Sequence, residues 1–306
     1  DISRSEFASA AVCGSRLPGL YEISYLNIPP LPSSSEQPLN VVIHIHAAIA
    51  AARNLLYLFN AFPFWCDGNI IKYATSWEYM FYAGARNHLL PYIKYNDTEN
   101  VTNMKSAFYK NDSVNEIPIV NTSKVIDFYY FCNGAKTLQS VPDLDYSKAE
   151  NMSCAFQNCK KLKKVSDLDL NNADTVSYLF AGCEGLNRVE RIQARKATNT
   201  KSMFNNCPYV VTIAALDISG SDDGSTMFYY CANLKNITFE GSIKAKYLNF
   251  SYSELLTYES IMGIINALID RSEETTAQNI TFGTVNLGKL TDAEKAIATE
   301  KGWTLV

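Results

Sequence analysis

Along most of this chain the apolar positions return with a period of 24. Stepping by 24 residues in both directions from Leu162 gives Leu90, Val114, Leu138, Leu162, Leu186, Val210 and Leu234, all aliphatic. Three residues further on stand Ile93, Ile117, Val141, Val165, Val189, Ile213 and Ile237. The next column, Asn96, Val120, Leu144, Leu168, Ile192, Leu216 and Glu240, is apolar in the middle and polar at both ends. A small-residue column holds Ala149, Ala173, Ala197 and Ala245. An aromatic column holds Phe108, Phe156, Phe180, Phe204 and Phe228. The spacing continues it at Tyr252 and interrupts it at Cys132, where the neighbouring Phe131 is the natural substitute. No insertion or deletion is needed between Leu90 and Leu234. One such unit cannot bury its own apolar face, but stacked units bury one another's, and the core becomes continuous.

The period predicts an α/β repeat solenoid: a leucine-rich-repeat right-handed superhelix with a parallel β-sheet on one face and capped ends. Each unit opens with a short strand ("LKKVSDLDL", "LNRVERIQA"). A turn rich in Asn, Asp or Ser follows, and then a tight helical turn carrying the aromatic residue ("VSYLF", "NMSCAF"). Four regions result. Residues 1–40 read as an N-terminal arm or linker, with "PPLPSSSEQP" at 29–38. Residues 41–68 read as an N-terminal cap with a helix near 47–60, residues 69–256 as the repeats, and residues 257–306 as a C-terminal cap. In that cap Ile261, Ile264, Ile265, Leu268 and Ile269 have helical spacing. The strand-like "NITFG" follows, then Thr291 and Glu294 form a capping box, Gly302 is a stop and Trp303 packs back. The first unit is irregular, its Met80-Phe81 pair falling three residues early, as terminal repeats often are.

The cysteines keep the same beat. Cys159, Cys183, Cys207 and Cys231 are each 24 residues from the next, and Asn111 and Ala135 occupy the same column earlier. A column of this kind reads as small buried side chains. Stacked Cβ vectors run side by side and suit a disulfide poorly. A disulfide and a metal or redox role are the competing readings, and Cys154 fits no zinc spacing.

Composition adds exclusions. The 306 residues are 47% hydrophobic and 19% charged, which places the chain among globular proteins. A net charge of −4 with no basic stripe argues against nucleic acid as the partner. "VVIHIHAAIAAARNLLYLFNAFPF" at 41–64 is interrupted by His44, His46, Arg53 and Asn54 and reads as a buried helix, not a membrane span. The chain opens at Asp1 with no signal-peptide core, which reads as a processed chain whose export route lies out of view.

Chemistry is sparse. His44 and His46 are a possible metal pair without a third ligand, and His88 stands alone. No nucleophile, zinc or nucleotide motif occurs, so no catalytic residue, metal site or cofactor is expected. Asp145, Asp169 and Asp217, with Asn121 and Gln193, form one polar column, which suits turn capping better than calcium. Eight Asn-x-Ser/Thr triplets occur, at Asn96, Asn100, Asn111, Asn121, Asn151, Asn236, Asn249 and Asn279, and read as chance products of an Asn-, Ser- and Thr-rich repeat.

The units "ENVTNMKSAFYKNDSVNEIPIV" and "AENMSCAFQNCKKLKKVSDLDL" resemble the BspA-like leucine-rich repeats of bacterial surface proteins. The pattern is Asn-Met, then Phe, then Cys or Asn, then Leu, then Ile or Val. The tail, "LLTYESIMGIINALID" with "TFGTVNLGKLTDAEKAIATEKGWTLV", looks like the closing segment of repeat proteins encoded by gut bacteria and their prophages. The resemblance covers roughly residues 75–306. It implies adhesion or recognition outside the cell or at its surface, by binding a host protein or a carbohydrate. A structural or receptor-binding part of a phage virion tail is the alternative. The candidate contacts are strand-borne side chains that differ between units: Glu116, Lys164, Arg188, Glu190, Arg191 and Asn236. Tyr129, Tyr130, Tyr229 and Tyr230 add aromatic area.

Overall fold

The computed structural model describes residues 74–84, 86–275 and 278–306. The chain divides into two units, Asp1–Trp65 and Cys66–Val306, and every described residue belongs to the second. The expected arm over 1–40, the cap helix near 47–60 and the pair His44/His46 lie outside the described residues.

The architecture is α/β. Four strands, β1 (Lys164–Asp169), β2 (Arg188–Gln193), β3 (Thr212–Asp217) and β4 (Asn236–Phe239), form one parallel sheet in chain order. Each residue of β1 and β2 pairs with the residue 24 further on, as in Val165↔Val189 and Val189↔Ile213. The bridge Ser140↔Lys164 extends the sheet one unit earlier, and a second row of single bridges runs along the stack from Ser76↔Asn103 to Asp223↔Lys246. Within β1, β2 and β3 the inward residues lie three apart, Val165 and Leu168, Val189 and Ile192, Ile213 and Leu216. Simple alternation would separate them by two. Two consecutive residues therefore face outward in these three strands, Ser166-Asp167, Glu190-Arg191 and Ala214-Ala215.

Opposite the strands the structure corrects the expected helical turn. No described residue between 99 and 257 is helical. The aromatic segment is a run of turns in which amide groups alternate between two partners. Phe180 N–H donates to Met203 O of the next unit at 2.9 Å, while Ala181 N–H donates back to Tyr178 O at 3.2 Å. The same alternation recurs around Phe108 and Phe204. It requires positive φ at two positions per unit: Ser106 and Lys110, Tyr130 and Gly134, Cys154 and Asn158, Tyr178 and Gly182, Ser202 and Asn206, Thr226 and Tyr230. A helix would direct every amide within its own turn and leave the units unjoined on this side.

The phenylalanines stack. From Phe156 through Phe180, Phe204 and Phe228 the rings lie 5.6–5.9 Å apart and nearly parallel. At the gap Phe131 stands between Phe108 and Phe156 with its ring edge-on to both. Beyond Phe228 the column passes to Phe250 and Phe282, not to Tyr252. The reason is a contraction. The β3–β4 register shifts after Ile213↔Ile237, and Asp223 then pairs with Lys246. At the other end Phe81 stacks on Phe108 across a longer first unit.

The C-terminal segment closes the sheet. Helix α1 (Tyr258–Ala267) starts at the cap Thr257, and its Ser260 Oγ accepts Ile237 N–H of β4 at 3.0 Å. Strands β5 (Gln278–Ile280) and β6 (Trp303–Leu305) pair in parallel. The short helix α2 (Thr284–Leu287) and α3 (Asp292–Glu300) lie between them in sequence. Thr291 and Glu294 form the expected box on α3, Gly302 ends it at φ +78, and Trp303 is buried with Nε1 donating to Ile269 O.

Candidate functional site

The cysteine column points inward. Cys159, Cys183, Cys207 and Cys231 are free and fully buried. Each thiol donates to a carbonyl of the preceding unit at 3.1–3.2 Å: Cys132 O, Phe156 O, Phe180 O and Phe204 O. Asn111 does the same work with Nδ2 on Phe81 O. Burial holds these thiols well above their ordinary value, so they stay protonated at neutral pH. The residues that surround them give this column no access to a ligand.

The polar columns are turn caps. Asp145, Asp169 and Asp217 each accept the backbone N–H two residues on, at 2.9, 3.0 and 3.1 Å. Asn121 does so for Ser123. Burial pushes the Asp217 carboxyl up, but Arg195 and Ser219 outweigh it and the net shift is downward. A second such column, missed in the sequence, begins each aromatic run: Asn103, Asp127, Asn151, Asn199, Asp223 and Asn249. Turn capping by these and other columns accounts for the asparagine in part of the Asn-x-Ser/Thr recurrence. Asn111, Asn121, Asn151 and Asn249 each accept the N–H of the serine that completes their triplet. The turn needs the asparagine, while the backbone N–H it accepts can come from other residues, as Lys105 and Lys201 show after Asn103 and Asn199.

The strand-borne candidates come together on the outward face of the sheet. Lys164 and Arg188 are register partners, and the row continues through Thr212 to Asn236. Glu190 lies between the two cations, 2.8 Å from Lys164 and 2.9 Å from Arg188. Hydrogen bonds from Arg188 and then Lys164 lower its carboxyl to about 2. Arg191 reaches Glu240 at 2.9 Å, two units away. It can do so because the intervening strand presents the short side chains Ala214 and Ala215 at this level. Each pair is accessible to water and contributes little to folding. The same face nearer the N-terminus carries Glu116, Tyr92, Tyr95 and Ile119, all exposed.

The four candidate tyrosines are not on the strands. They sit on the run of turns, in two separate clusters. Tyr129 and Tyr130 touch at 4.3 Å, and Tyr130 meets Tyr109 at 5.6 Å. Tyr229 and Tyr230 touch at 4.3 Å and both meet Tyr252, the residue expected in the core. The structure thus splits the expected surface into three patches. His88 is exposed, and among the described residues no group of His, Cys, Asp or Glu is arranged to hold a metal ion. No helix of the described residues is long and apolar enough to cross a membrane.

A protein-family model described as "Mycoplasma protein of unknown function, DUF285" matches residues 75–193 and again 137–240, together more than half of the chain. The overlap of the two matches follows from the internal period, since one model fits the stack in two registers. The chain belongs to this family of repeat proteins. No curated protein and no solved structure matches it.

Proposed function

We propose that this chain is a non-enzymatic recognition module of a bacterial surface or secreted protein. Its stack is a BspA-like leucine-rich-repeat solenoid, and its outward faces bind a host protein or glycan. One contrast carries the reading. Inward, the sheet repeats Val165, Val189, Ile213 and Ile237, as packing demands. Outward, at the adjacent position, it reads Lys164, Arg188, Thr212 and Asn236. Packing does not dictate the outward residues, and a stacked array offers them as a long regular surface. Arg188 and Arg191 are the expected anchors, because an arginine already held in plane by a carboxylate loses little freedom on binding.

The test is the double substitution Arg188→Ala and Arg191→Ala, measured as adhesion of the purified protein to host-cell monolayers. Adhesion should fall at least about tenfold. Adhesion that survives this change, and survives loss of the tyrosine clusters, would remove the reading.

A further inference from the structure

We infer that the tyrosine strip across the first three units is a carbohydrate site, suited to an extended neutral oligosaccharide. The inference rests on the recognition reading and names a surface and ligand class within it. Five rings form a continuous contact path: Tyr79 to Tyr82 at 6.0 Å, Tyr82 to Tyr109 at 5.7 Å, Tyr109 to Tyr130 at 5.6 Å and Tyr130 to Tyr129 at 4.3 Å. The path runs along the stack, with rings from each of three successive units.

Two observations point to sugar. The first is composition. Every ring in the path is tyrosine, exposed at Tyr79 and half-buried at the other four, so the strip combines apolar ring surface for sugar C–H groups with rim hydroxyls for sugar hydroxyls. The second is charge. Lys105 lies over the Tyr129 ring and pairs with Glu78, and Lys110 lies over the Tyr109 ring. Asp127 in the same run caps its own turn at Tyr129 N–H. The cations and carboxylates of the strip roughly balance, which fits a neutral ligand better than an acidic one. The rings also hold one another in place, so little side-chain freedom is lost when a ligand stacks on them.

The experiment uses the full chain on an array of neutral hexose and N-acetylhexosamine oligosaccharides, with sialylated and sulfated chains alongside. The expected result is retention of at least one neutral chain. Tyr109→Ala should weaken it about tenfold, and Tyr109→Phe, which keeps the ring, by only about threefold. Tyr230→Ala, in the other cluster, should leave it unchanged. A thermal melt checks that each variant folds, and Tyr82→Ala replaces Tyr109→Ala if the latter does not. Failure to retain any neutral chain, retention of acidic chains only, or retention indifferent to Tyr109 and Tyr82 would overturn the inference. Cell adhesion that depends on Arg188 and Arg191 with no glycan retained would sink the carbohydrate site alone and leave the recognition reading standing.

Discussion

The two sides of each unit join their neighbours by different means. On the strand side, β1 to β3 pair through an ordinary parallel ladder that needs no unusual backbone. On the opposite side the chain turns tightly yet still sends every second amide to the next unit. It manages this only by placing two residues per unit at positive φ. The strand side tolerates almost any outward residue. The turn side is demanding in its interior and its backbone alike, since it carries the phenylalanine stack, the thiol column and the caps. One repeat therefore has a permissive wall and a constrained wall.

The largest expected effect is alkaline destabilisation of the constrained wall. In the unfolded chain the thiols ionise above their ordinary value, while the four thiols of the 24-residue column remain protonated in the folded chain. The folded state then binds more protons, so stability falls as pH rises, by roughly 2 kcal/mol per thiol near pH 10. Denaturant titrations across that range should show the fall, and Cys183→Ala should lose less of it. Phe180→Ala removes a fully buried ring between two stacked neighbours and should cost about 3–5 kcal/mol, read as a lowered urea midpoint. Gly182→Ala should cost on the order of 1–2 kcal/mol. Its backbone is at φ +74, and the new Cβ would fall 2.3 Å from Asn158 Oδ1. Asn151→Ala removes the cap on Ser153 N–H and should cost about 1 kcal/mol by the same measurement. A Phe180→Ala cost smaller than that of Asn151→Ala would erase the distinction between core and cap on this wall.

The permissive wall was the easier to read. The columns through Leu162, Val165 and Leu168 show in the sequence because identical neighbours demand identical packing, and all three are buried. The constrained wall was misread as helical because its positive-φ positions carry Tyr130, Ser202 and Thr226 as well as glycine. A signal was present all the same. Asn158, Gly182 and Asn206, the residues just before three of the cysteines, are the types that tolerate that conformation best. Tyr252 was misplaced because the final contraction swaps one aromatic residue for another, and a period cannot register a shift that leaves an aromatic in the expected place. The Lys164–Glu190–Arg188 group was legible, since its members share neighbouring columns. The Arg191–Glu240 pair was not, because it steps across the two alanines of β3 to a third strand. Tyr79, Tyr82 and Tyr109 escaped notice because ring contacts between units of unequal length break the period.

A stack built from interchangeable layers has no inherent reason to stop, and an unsatisfied outer strand would invite a second molecule to add its own layer. Ser260 supplies the full stop. By answering the Ile237 amide with a side-chain oxygen, it lets a helix cover the rim where another strand would otherwise dock. The assembly is thereby given a fixed count of layers at this rim, and an outer face of set length instead of a growing fibre.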